Sequence, residues 1–118
     1  MIILDTTTLT EDYSSDWVNG DGKPFENLAS FRDDKPITNW ALQFQWDNVV
    51  GTPDAVIKIY STLEKKKTLE KTYTIETESN VDDAHIIDMS GTIIAGFQVV
   101  LELNSVTSID LSIDAVFD

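Results

Sequence analysis

The chain has 118 residues, the size of one domain, and folding at this length buries roughly two thirds of the unfolded surface, enough for a single core. Eight Lys and Arg against 21 Asp and Glu give a net charge of -13, which opposes a broad phosphate-neutralising surface and argues against nucleic-acid binding. A hydrophobic fraction of 42% is too high for a disordered acidic tail, and the absence of cysteine excludes disulfides, zinc ribbons, iron–sulfur clusters and thiol nucleophiles together.

The N-terminal run Met-Ile-Ile-Leu lacks a basic flank and stops at Asp5. It is read as a strand over Ile2 to Thr8, and neither as a secretion signal nor as a membrane span. Residues 10–39 are rich in Asp, Asn, Gly and Ser, with Pro24 and Pro36 as stops, and are read as a long, mostly irregular connection packed on the body of the fold. Long connections often carry contacts, which makes Trp17, Phe25, Phe31 and Ile37 the candidate residues of an apolar interface.

Within that connection, Asp16-Trp17-Val18-Asn19-Gly20-Asp21-Gly22 fails as an EF-hand loop. Its best alignment puts Trp17 and Leu28 where oxygen ligands are required. Two readings stay open: a different calcium site using Asp16 and Asp21, and a turn whose Asn and Gly supply positive φ. No metal or cofactor is assigned.

From residue 40 the dominant period is two. Trp40, Leu42, Phe44 and Trp46 alternate with Ala41, Gln43 and Gln45, which on a pleated strand puts all four large groups on one face. Burying them contributes about 1.5–3 kcal/mol each before ordering entropy, so this strand belongs at the centre of the core. Further strands are read at Ala55 to Thr62, at Thr68 to Thr77 with Leu69, Tyr73 and Ile75, and at Ala84 to Met89. Two more follow. Phe97, Val99, Leu101 and Leu103 mark one, and Ile109, Leu111, Ile113, Ala115 and Phe117 mark the other. The intervening Asn104 to Ser108 reads as a hairpin connection that pairs them antiparallel.

Turn residues separate these runs at 50–54, 64–67, 79–83 and 90–91. Seven to eight strands so spaced predict an all-β, single-domain antiparallel β-sandwich over residues 1–118, either jelly roll or immunoglobulin-like, with the jelly-roll-like order taken as the expectation. Reactive groups are sparse. His85, the only histidine, has no Gly-x-Ser-x-Gly elbow with it and is read as a rim or packing residue, so no catalytic residue is assigned. Lys65-Lys66-Lys67, the only basic run, falls at a predicted hairpin tip, where it forms a solvated turn or a patch for an acidic neighbouring subunit.

The segment Leu42-Gln43-Phe44-Gln45-Trp46-Asp47, followed by Val50-Gly51-Thr52-Pro53-Asp54 and a strand ending at Tyr60-Ser61, resembles small β-sandwich virion proteins of tailed bacteriophages. These are the head-fibre and auxiliary (decoration) capsid proteins. Asp88-Met89-Ser90-Gly91 and the two C-terminal strands fit the same order, so the resemblance covers about residues 40 to 117. Where those proteins often carry Asn-Asp-Gly after the Ser-ending strand, this chain has Thr62 to Lys67. The resemblance implies a non-enzymatic structural protein on the outer surface of a virion, soluble in the host cytoplasm before assembly. Its partners are then capsid subunits and its own copies, as a trimer. Alternation suits a carbohydrate-binding or adhesive sandwich as well, with Trp17 or Trp40 and Tyr60 or Tyr73 as the rings on which a glycan would stack.

Overall fold

The structure is a computed structural model that describes residues 1–28, 35–76, 85–88 and 93–117. β-Branched and aromatic residues in period-two runs produce ten strands among them. In chain order these are β1 (Ile2–Leu9), β2 (Tyr13–Ser14), β3 (Trp17–Asn19), β4 (Pro24–Phe25), β5 (Trp40–Gly51), β6 (Val56–Thr62), β7 (Thr68–Thr74), β8 (His85–Asp88), β9 (Gly96–Glu102) and β10 (Val106–Phe117). They form two sheets, β1-β10-β5-β8 and β4-β3-β9-β6-β7, with β2 added on β9. Every pairing is antiparallel.

Set aside the two-residue strands and eight remain. The first then lies beside the eighth, the eighth beside the third and the third beside the sixth. In the other sheet the second lies beside the seventh, the seventh beside the fourth and the fourth beside the fifth. This is the strand order of a jelly roll, the double Greek key. The class is therefore an all-β antiparallel sandwich.

Alternation places the core as expected. Trp40, Leu42, Phe44 and Trp46 of β5 face inward with Ile109, Leu111, Ile113 and Ala115 of β10, against Ile57 and Ile59 of β6 and Phe97, Val99 and Leu101 of β9. The Trp40 and Phe97 rings stack at 5.0 Å between centroids, and Phe117 meets Phe97 edge-on at 5.7 Å. This aromatic group closes one end of the sandwich.

Two expectations are corrected. β9 and β10 do not pair: β9 lies between β3 and β6, and β10 between β1 and β5, so residues 103–105 cross from one sheet to the other. Both strands are buried on the same alternation, which two strands in facing sheets satisfy as well as two hairpin partners. The crossing is fixed by polar groups. Asn104 adopts φ 53, its Nδ2 donates to the Asp54 carbonyl at 3.0 Å, and the Ser105 N–H donates to Asp54 Oδ1 at 2.8 Å.

The described residues of region 10–39 are also not mostly irregular, because they supply β2, β3 and β4 to the second sheet and, at Ile37, an isolated bridge to Ile94. Polar side chains hold it there. Asp12 Oδ1 accepts the Leu103 N–H at 2.8 Å, and the buried Ser15 Oγ accepts the Val99 N–H at 2.9 Å. The turns read at 79–83 and 90–91 lie outside the described residues.

Candidate functional site

Alternation gives the first sheet an outer face built from the residues between the core positions. On β5 and β10 these are Ala41, Gln43, Gln45, Asp47, Asp110, Ser112, Asp114 and Val116. The register slips twice near the Gly51 end of β5, the second time beside Asp47. Between Asp110↔Asp47 and Ser108↔Val50 the β5 strand holds one residue more than β10, a bulge in which Asn48 takes φ 52. The slip brings the Asn48 side chain onto the outer face beside Asp47. There its Nδ2 donates to Asp110 Oδ2 at 2.8 Å, while Thr8 Oγ1 of β1 donates to Asp110 Oδ1 at 2.5 Å. The Asn48 donor first, and the Thr8 hydroxyl second, hold the Asp110 carboxyl below its ordinary 3.8.

Asp47 sits directly across from Asp110 in the ladder, and its Oδ1 accepts the Asn48 N–H at 2.7 Å. The two carboxylates thus occupy opposed ladder positions, each already held by a local donor. Around them Thr6, Gln45, Trp46 and Ser112 complete a shallow groove of about 200 Å³. A second cleft of similar size opens between the sheets, where Met1 and, on β1, Ile2 and Ile3 face Tyr13, Ser15, Val18 and Pro24. Burial, then the nearby Asp16 charge, raises the Tyr13 phenol above its ordinary 10.0.

The residues singled out from sequence are not gathered into one surface. Trp17 is 3% exposed and Ile37 0%, so neither is available to a partner. The structure thus removes both from the expected apolar interface: Trp17 packs with Ala95, and Ile37 is stitched to Ile94 in the core. Phe25 is half-buried against Trp17, and Phe31 lies outside the described residues. Of the sugar-stacking candidates, Trp17 and Trp40 are buried. Tyr60 carries Lys67 Nζ over its ring at 4.1 Å, and Tyr73 tilts against Trp46 at 5.8 Å. His85 pairs through its backbone with Phe44 on the edge strand β8.

Residues 19–23 form a turn. Asn19, fully buried, accepts the Asp21 and Lys23 N–H groups on Oδ1 at 3.1 and 3.0 Å, and Gly22 alone supplies the positive φ, at 75°. Among the described residues no group of three or more His, Cys, Asp or Glu side chains is placed to hold a metal ion. Among them too, no helix is long and apolar enough to cross a membrane.

The groove was not read from sequence. Its signal was the break in alternation after Trp46, where Asp47-Asn48 interrupts the apolar run with a residue that tolerates left-handed backbone. The fold defines an antiparallel jelly-roll sandwich with an acidic groove on one outer face. Comparison with protein-family models, with curated proteins and with solved structures gives no match to this chain.

Proposed function

We propose that this chain is a non-enzymatic structural protein of a tailed-bacteriophage virion, a head-fibre or auxiliary capsid component that docks on other capsid subunits. The observation that carries the reading is the strand order. Jelly rolls recur in capsid and lectin domains because two rigid sheets offer flat outer faces to neighbours while the core holds the shape. Charge supports it too. At -13 a free subunit stays soluble, and it fits an external position away from packaged nucleic acid.

The function is then carried by surface and not by a reacting group. Alternation fixes which side chains face out, and the β5–β10 ladder keeps them in unbroken register from Asp110↔Asp47 to Phe117↔Trp40. Immunogold electron microscopy of particles released from cells carrying the gene tests the reading. Label on the outside of intact heads is the expected result. Label confined to the free protein fraction, with bare particles, overturns it.

A further inference from the structure

Charge is divided between the two sheets. No Lys or Arg occurs in β1, β5, β8 or β10, so the first sheet carries Asp5, Asp47, Asp88, Asp110 and Asp114 with no cation of its own. The β6–β7 hairpin is the reverse, with five lysines against two glutamates, a net of +3 in a chain of -13. At its tip Lys65, Lys66 and Lys67 are exposed, Lys65 at φ 61, and two leucines flank them: Leu63 is 59% exposed and Leu69 50%. Lysines beside exposed leucines make a knob with both charge and apolar area to offer.

Tip and groove do not meet within one chain. Thr62, where the tip begins, pairs with Gly96 at the Trp40–Phe97 end of the sandwich. Asp47 lies seven residues along β5 from Trp40, about 23 Å at 3.3 Å per residue, and on the outer face of the opposite sheet.

We propose that the β6–β7 tip of one copy docks into the Asp47–Asp110 groove of a second copy. The argument is charge complementarity. The groove places two carboxylates at opposed ladder positions with no Lys or Arg on its sheet, and the tip presents the chain's only run of ammonium groups. The contact joins unlike surfaces, so repeating it builds a ring where the rotation closes and a filament where it does not. A ring of three is the form the virion reading expects, but the contact stands without that reading.

The test uses the full chain at about 100 µM in about 150 mM salt, by sedimentation velocity and native mass spectrometry. The groove variant is Asp47→Asn/Asp110→Asn, and the tip variant is Lys65→Gln/Lys66→Gln/Lys67→Gln. A control, Glu11→Gln/Glu26→Gln, removes the same two charges from exposed sites elsewhere. The wild-type chain is expected to associate, and each of the first two variants to lose at least about tenfold in association constant while the control does not. Net charge alone predicts the opposite sign for the groove variant, since it is less negative than wild type. An equimolar mixture of groove and tip variants retains one intact contact, and should form a one-to-one dimer and nothing larger. A monomeric wild-type chain, a groove variant that associates like the control, or a mixture that stays monomeric each overturns the proposal. Should the groove variant fail to fold, Asp47→Asn alone, which leaves the Asp110 bonds to Asn48 and Thr8 in place, decides it: weakened association supports the contact although the chain is less negative, and association like the control's overturns it.

Discussion

Gly51→Ala probes the corner where β5 ends against the crossover between β9 and β10. Gly51 has φ 100, a conformation costing an L side chain about 1–3 kcal/mol. Space adds to the strain. A Cβ there would lie 2.5 Å from the Ser105 carbonyl oxygen, 3.1 Å from the Thr107 nitrogen and 3.3 Å from the Val106 Cα, all of them backbone. Relief requires moving the crossover, which Asp54 holds through Ser105 and Asn104, so overpacking contributes about another 1–3 kcal/mol. The sum is about 2–6 kcal/mol, against a total stability of about 5–15 for a domain of this kind. Urea unfolding should show it as a midpoint lowered by at least about 0.7 M, taking about 1–3 kcal/mol per M for the slope. Gly22→Ala is the internal comparison. It sits at φ 75, but its Cβ meets nothing nearer than 3.9 Å, so it carries strain of about 1–2 kcal/mol without the clash. Equal losses in the two variants would refute the claim that the crossover is held rigidly against β5.

Two further outcomes follow from named polar groups. Asn19→Ala removes the acceptor of two backbone N–H groups from a fully buried position and should cost about 1–3 kcal/mol, read as a lowered thermal midpoint; an unchanged midpoint would mean that the turn holds itself. Asp110 is held below its ordinary 3.8 by Asn48 and Thr8, so its contribution to stability is present above that pH and is lost as pH falls through the folded-state value. Carboxyl-carbon NMR should find its midpoint below 3.8 in the wild type and shifted upward in Asn48→Ala, and a midpoint unmoved by that substitution would dismiss the Asn48 donor as the main cause.

Much of this fold is legible in side-chain alternation, because burial on one face of a strand is a local pattern. Trp40, Leu42, Phe44 and Trp46 show their inward face without reference to any other segment. Partner choice is not local. The alternation of β9 and β10 is the same whether they share a sheet or face each other across the core, and the contacts that hold the crossover come from Asp54, about fifty residues away. Trp17 and Ile37 were misplaced for a related reason. An isolated apolar residue in a polar stretch gives no period, so whether it packs inward or outward depends on Ser15, Asp12 and Ile94, which anchor its neighbours to β9 and to the core. The groove needed three strands at once. Thr8, Asn48 and Asp110 converge only when β1, β10 and β5 lie side by side, and the bulge at Asn48 turns its amide toward Asp110.

The sheet edges bear on how copies can meet. An unpaired strand offers its backbone groups to any other strand, and proteins blunt such edges with bulges, proline, lysine or brevity. All four devices occur here. β1 is interrupted by register shifts between Ile2 and Leu4 and between Leu4 and Thr7. β4 is two residues long and begins with Pro24, β7 carries Lys71, and β8 has four residues. Extending either sheet by strand addition is therefore disfavoured at each end, and association between copies falls to side-chain surfaces. An association that ran through β1 would survive neutralising Lys65, Lys66 and Lys67, whereas one that ran through the tip would not. The tip variant thus separates the two routes in a single measurement.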